Sequence, residues 1–509
     1  MRPTALLFVV TLSLTTLGCE KLANRHEDTD STLVEGDIAD DGTAPVADTV
    51  GPSGEDIASG DAALALEVIE TGDADVVSTP TDPWQLTLTC DDPAQAIYDA
   101  SIADVDPAAP LGTVVACRQD PLLAADDVAE DAAEDGVVTT AAIRPYRIAY
   151  VTERSAGARG LGTARVMLPD PLPAAPAHVV VITHGTTGLA DACAPSVYPQ
   201  VRTEMALPFA GTDMVVVAPD YAGLGNEGTQ GYGESGDTAH SVLDALRAVH
   251  ALFSPGTLTD SYAVMGHSQG GGAALYAQGL AGTYGSKHSA KAIVAFSPGW
   301  VPSAEQNRAP YAFPQFVPVT LAAGVTVATY VLALYADVAN HIDAATPGLF
   351  FHADWRTTLV EWIETLCVFP IADNLWALGA SVTLADIIDP DFLAGVLSCI
   401  DETPSCTEPY LSFVERRRGN YIPPDPGGAP ILYVQGLEDA QSTPERAMCN
   451  LEAMAGVGVT PQVCTDDEAT HFDVVSRNLS VASDWLRAQL NGTPVPTCEH
   501  AEGLLPPCE

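Results

Sequence analysis

Ser268 stands in the pentapeptide Gly266-His267-Ser268-Gln269-Gly270, with the apolar run Tyr262-Ala263-Val264-Met265 before it and Gly271-Gly272-Ala273-Ala274-Leu275 after it. A serine hydroxyl becomes a nucleophile when a base takes its proton, an acid orients that base and amide donors receive the negative charge that develops. The Gly-x-Ser-x-Gly spacing between a short strand and a helix start predicts a nucleophile elbow, a strained corner that exposes the hydroxyl at a helix N-terminus. The flanking glycines let the backbone turn tightly and the helix pack close.

In this arrangement the acid and base follow the serine in the chain. Beyond Pro430 the histidines are His471 and His500. His500 falls in a tail after the last expected helix and reads as a surface residue. His471, in Ala469-Thr470-His471-Phe472, is taken as the base, a solvated loop histidine being the plain alternative. The run Ile431-Leu432-Tyr433-Val434-Gln435-Gly436 ends in Leu437-Glu438-Asp439, where Asp439 is taken as the acid and Glu438 as the runner-up. The oxyanion donors are expected from the amide of Gln269 and from Thr186 or Gly185 in the loop His184-Gly185-Thr186-Thr187-Gly188. His184 precedes the serine with no acid to orient it and reads as a loop-ordering residue.

The elements needed to hold these groups are legible around them. Antiparallel strands are expected at 146–153 and 162–168, and buried parallel strands at 178–183 and 214–218. A helix is expected over 239–253, with Val242, Ala245, Leu246 and Val249 at helical spacing. Further strands are expected at 290–296, 430–435 and 462–465, with a helix near 444–455. Strands alternating with helices indicate an α/β fold, a mostly parallel sheet with helices on both faces. The rhythm stops from 299 to 428, an aromatic-rich stretch that reads as a helical cap inserted after the sixth sheet strand. Its run 316–336 carries no charge, and Pro318 and Gly324 within it favour a buried or lid helix over a membrane span.

Composition limits the partners. Of 509 residues, 67 are acidic and 21 basic, a formal charge of −46, so nucleic acid is not an expected partner. No Lys or Arg occurs between Arg25 and Arg118. Residues 1–19 read as an export signal in which Arg2, an apolar stretch and Gly18-Cys19 resemble a bacterial lipoprotein signal, with Cys19 lipidated and holding the protein at a membrane surface. Ordinary secretion is the alternative. Residues 20–80 read as an acidic, unfolded tether, 81–145 as an N-terminal extension, 146–298 and 429–492 as the two parts of the catalytic core, and 493–509 as a cysteine-containing tail. Eleven cysteines less Cys19 leave an even set, which in an exported chain forms disulfides. Proximity pairs Cys399 with Cys406, Cys449 with Cys464 and Cys498 with Cys508; elimination leaves Cys90 with Cys117 and Cys193 with Cys367. No cysteine or histidine spacing suggests a metal.

Four blocks beyond the elbow together carry a family resemblance: His184-Gly185-Thr186-Thr187-Gly188, Asp191-Ala192-Cys193-Ala194-Pro195-Ser196, Ala218-Pro219-Asp220-Tyr221-Ala222-Gly223-Leu224-Gly225, and Ser241-Val242-Leu243-Asp244-Ala245. The chain resembles the secretory lipase family of α/β-hydrolases over about residues 146–490, weakly through the cap. The resemblance implies a serine esterase or lipase of α/β-hydrolase fold, with an acyl-binding tunnel in the cap, no cofactor, and Ser268, Asp439, His471 and the Gly185-Thr186 loop at the site. Phe472 departs from the pattern, since smaller residues usually follow the histidine.

The function expected is hydrolysis of carboxylic esters with apolar acyl groups by a monomer. A serine peptidase on the same fold is the nearest alternative, although no group to capture a peptide terminus is evident. An inactive, surface-anchored binding protein is the other.

Overall fold

A computed structural model of the chain describes residues 82–197, 204–285, 287–300, 323–379, 382–498 and 505–508. The segments read as an export signal with Cys19 and as a tether, together with His500, lie outside the described residues. Nine strands form one sheet: β1 Val114–Gln119, β2 Ala142–Glu153, β3 Arg159–Asp170, β4 Ala177–Thr183, β5 Val215–Pro219, β6 Leu258–His267, β7 Ser289–Phe296, β8 Ile431–Gly436 and β9 Gln462–Asp466. Their order is β1-β2-β3-β5-β4-β6-β7-β8-β9. The first three pairings are antiparallel and the other five parallel.

The helices of ten residues or more are α1 Ala125–Glu134, α2 Ser235–Leu252, α3 Gln269–Leu280, α4 Val325–His341, α5 Arg356–Thr365, α6 Val368–Ala377, α7 Pro390–Ile400, α8 Tyr410–Gly419, α9 Pro444–Gly456 and α10 Val474–Asn491. The unbroken apolar run of β4 is explained by burial on both faces. Val179 and Val181 pack with residues of α2, α3 and α9. Val180 and Ile182 pack with residues of α1 and α10. Each such fully buried valine or isoleucine contributes about 1.5–3 kcal/mol.

The segment between β7 and β8 folds around its own apolar core, which includes Val331, Leu359, Ile371 and Val396 from four different helices. Phe350 stacks on Phe392 at 3.9 Å, and Phe413 meets Phe392 edge-on at 5.2 Å. The charge-free run expected near 316–336 enters α4, and residues 316–322 lie outside the described set. Among the described residues no helix is long and apolar enough to cross a membrane.

Two expectations are corrected. The insertion follows the seventh strand rather than the sixth, because the segment read as an extension supplies β1. That strand is short and is fixed by long-range ties: Cys117 is bonded to Cys90, and Arg147 of β2 makes a buried two-pronged ion pair with Asp120 at 2.6 and 2.7 Å. The cysteine pairs Cys90–Cys117, Cys193–Cys367 and Cys399–Cys406 match expectation. At the C-terminus, however, Cys449 joins Cys508 and Cys464 joins Cys498. Sequence proximity fails there because α9 and the Cys464 side chain pack on opposite faces of the sheet, so each must be met by the returning tail.

Candidate active site

The strand order reverses around β4, which has β5 on one side and β6 on the other. Such a reversal opens a crevice at the carboxyl ends of the strands. The loop 184–188 leaves the end of β4, and the elbow leaves the end of β6.

Ser268 caps α3 with φ 55° and ψ −118°, a conformation that a non-glycine residue holds only at a cost of about 1–3 kcal/mol. Its neighbours explain how it is held. A Cβ on Gly266 would strike Thr183 and Gly270, and one on Gly270 would strike the Thr183 carbonyl, so the corner closes only with glycine at both places. The Ser268 amide donates to Phe296 O at 3.0 Å, and the Gly299 amide donates to Ser268 O at 2.9 Å, pinning the corner to the end of β7.

His471 and Asp439 arrive from the loops after β9 and β8. His471 Nδ1 lies 2.8 Å from Asp439 Oδ2, and Nε2 lies 2.9 Å from Ser268 Oγ. A carboxylate only accepts, so Nδ1 carries the proton and Nε2 is left to accept from the serine hydroxyl. Asp439 and His471 are both buried, whereas Glu438 is exposed. The geometry therefore selects Asp439 over its neighbour as the partner of His471. Burial pushes the Asp439 carboxyl upward, but the His471 hydrogen bond and charge and the Gln441 amide outweigh it and hold the group below its usual value. Asp439 Oδ1 also accepts from the amides of Gln441 and Ser442, each at 2.8 Å.

These groups open on a cavity of about 360 Å³ whose lining includes Gly185, Thr186, Ser268, Gln269 and His471. Gln269 is the first residue of α3, so its amide has no intrahelical carbonyl to meet. The Thr186 side chain is hydrogen-bonded to the Tyr232 hydroxyl at 2.7 Å. His184 lies tilted against Tyr221, ring centroids 4.5 Å apart, with its ring nitrogens against the main-chain oxygens of Gly185 and Asp220, and burial lowers its proton affinity. That placement fits a loop-ordering residue.

Several groups at the site were not anticipated. The cap contributes Val325, Thr326, Thr329 and Tyr330 from α4, and Val368 and Phe369 from α6. Tyr232 carries no motif that would have marked it. His267 lies inside the pentapeptide, yet only the fold shows that its Nε2 donates to His471 O at 2.8 Å.

The family model for secretory lipases matches residues 195–294, a stretch that contains Ser268 and ends before the cap. No curated protein matches the chain. Among solved structures the chain is similar to a putative hydrolase from Legionella pneumophila, at 17% identity and TM-score 0.59, covering 75% of this chain and 100% of that one. It is also similar to Candida antarctica lipase A, at 15% identity and TM-score 0.58 over 81% and 90% of the two chains. A third likeness is to the rice cell wall degrading esterase from Xanthomonas oryzae, at 18% identity and TM-score 0.54 over 75% and 99%. The fold is that of the α/β-hydrolases, and the family match supports ester hydrolysis.

Proposed function

We propose that the protein is an exported serine hydrolase that cleaves carboxylic esters with apolar acyl groups through an acyl-enzyme. The observation that carries this reading is the hydrogen-bonded chain Ser268–His471–Asp439 opening on a cavity. In the first half-reaction Ser268 Oγ bonds to the ester carbonyl carbon while its proton passes to His471 Nε2. The carbonyl electron pair moves onto oxygen, facing the amides of Thr186, Gly185 or Gln269. On collapse the bond to the alcohol oxygen breaks and that oxygen takes the proton from Nε2. Water then attacks the acyl carbon and gives a proton to the same nitrogen; the bond from that carbon to Ser268 Oγ breaks, Oγ takes the proton, and the carboxylic acid leaves. Asp439 keeps the imidazole in the required tautomer and favours the imidazolium that forms twice per turnover.

Val325, Tyr330 and Val368 in the lining favour an apolar acyl group. Cys19 would carry a lipid anchor at the membrane surface, consistent with a site on a domain joined to it by a long acidic segment. Initial rates on p-nitrophenyl esters of increasing chain length, beside Ser268→Ala, test the reading. Serine-dependent turnover that rises with chain length supports a lipase-like enzyme, and turnover confined to short chains a carboxylesterase. Absence of turnover, with no labelling of Ser268 by a fluorophosphonate, would overturn the proposal.

A further inference from the structure

Phe369 and Phe472 both line the cavity, one from the cap and one from the core, and their rings meet. Their ring centroids are 5.9 Å apart, and each ring leaves 55% of its residue surface to solvent. Both backbones are held. The residue pair before Phe369 is fixed to the loop after β4 by the Cys193–Cys367 disulfide, the Gly188–Cys367 bridge and the Val368 amide donating to Thr187 O at 2.8 Å. Phe472 sits in a turn where the amide and hydroxyl of Thr470 both donate to Asp473 Oδ1 at 2.6 Å.

The chemistry of the site says which part of an ester meets this pair. Once Ser268 Oγ has bonded to the carbonyl carbon, three substituents remain. The oxyanion goes to the amide donors, and the leaving oxygen must lie within hydrogen-bond reach of His471 Nε2, which gives it a proton. The acyl chain takes the remaining direction. Phe472 directly follows His471, and its ring stands edge-to-face to the imidazole with centroids 5.5 Å apart. The group attached to the leaving oxygen therefore emerges beside Phe472 and Phe369, while Val325, Thr329 and Tyr330 of α4 form another part of the lining.

Resting on the ester-hydrolase reading above, we infer that Phe369 and Phe472 form an alcohol-side subsite that selects esters of flat, apolar alcohols, aromatic ones foremost. Two half-exposed rings at a tilt of 55° offer a ring-sized guest both a face and an edge, the arrangements aromatic pairs prefer. A short alkyl or polyhydroxyl alcohol would leave that surface wet.

The test uses butanoate esters of benzyl alcohol and ethanol, alcohols of similar acidity, so the comparison reads binding rather than leaving-group quality. Wild-type kcat/KM is expected to favour the benzyl ester by about tenfold or more. Phe472→Ala and Phe369→Ala are each expected to lower that ratio by roughly threefold or more, with the acyl-chain profile on ethyl esters keeping its shape. Ser268-dependent turnover with equal kcat/KM on the two esters would overturn the subsite and leave the hydrolase reading standing. A variant that altered the acyl-chain profile instead would place the rings on the acyl side and overturn it too. No Ser268-dependent turnover on any ester would overturn the hydrolase reading itself, and the subsite with it.

Discussion

His267 Nε2 donates a hydrogen bond to the main-chain oxygen of His471 at 2.8 Å, and the two rings lie with centroids 4.7 Å apart. The residue before the proposed nucleophile thus holds the backbone of its proposed base. Burial, aided by the neighbouring His471, pushes His267 down to about 4, so near neutrality its ring is uncharged and adds no positive charge beside an imidazole that must accept a proton.

His267→Gln retains an N–H donor without a titrating ring, and His267→Leu removes the donor. The glutamine variant is expected to keep most of its kcat, while the leucine variant loses about 10–100-fold, the scale of a misplaced base. Stability carries a second signature. A histidine lowered on folding contributes stability that is fully present above its unfolded value, about 6.5, and is lost as pH falls through the folded value near 4. Denaturant titrations of wild type and His267→Gln should therefore diverge between those limits, the wild type losing on the order of 3 kcal/mol relative to the variant. Parallel curves would show that burial does not suppress the charge.

Asp439 and Glu438 are adjacent carboxylates with opposite surroundings, one buried against His471 and the other exposed. Asp439→Asn can no longer fix the tautomer of His471, and kcat is expected to fall about 10⁴-fold with KM changing far less. Glu438→Gln should stay within about twofold, since surface substitutions rarely exceed ±0.5 kcal/mol. Equal losses in the two variants would remove the assignment of the acid.

The difference between these carboxylates shows what the sequence carries and what it does not. Chain order and the apolar run of β8 locate the loop where an acid belongs, but both residues satisfy that rule equally. Only burial and the 2.8 Å contact with His471 separate them. Central strands such as β4 are legible because burial on both faces demands an unbroken apolar run. β1 is not, since it is an edge strand fixed by Cys90–Cys117 and the Arg147–Asp120 pair, ties between residues distant in the chain. Tyr232, Phe369 and Val325 escape notice for a related reason. A cavity wall needs residues that converge in space, and nothing in their local spacing records that convergence.

The Cys193–Cys367 disulfide closes a sequence separation of 174 residues and joins the loop after β4 to α6, beside the proposed oxyanion donors. Cys399–Cys406, with a separation of 7, closes a loop within the cap. Loop-closure entropy assigns about 5 kcal/mol to the first and about 2 kcal/mol to the second. Replacing both cysteines of the first pair by serine should lower the midpoint of denaturant unfolding more than the same change in the second pair. It should also lower kcat and weaken binding of a boronic acid, which mimics the tetrahedral adduct, whereas the second pair should affect stability alone. Equal effects on boronate affinity would show that the crosslink does not position the loop.

The contact between core and cap at Glu234 and His341 should depend on pH in a defined window. His341 Nε2 lies 2.7 Å from Glu234 Oε1. The hydrogen bond it donates to Glu234 raises His341, with burial opposing and the charges of Glu234 and Asp337 adding. Burial pushes Glu234 up, but His341, Ser155 and Arg154 outweigh it and hold the carboxyl below its usual value. A histidine raised on folding contributes stability that is complete below its unfolded value and is lost as pH rises through the folded one. A lowered carboxyl contributes stability that is complete above its unfolded value and is lost as pH falls through the folded one. The pair therefore ties α4 to the N-terminus of α2 between the two transitions and loosens on either side. Hydrogen exchange of the α4 amides should accelerate beyond its intrinsic pH dependence as pH rises from about 6.5, and His341→Gln should abolish that extra acceleration. An identical excess in wild type and variant would mean that a group other than His341 governs the contact.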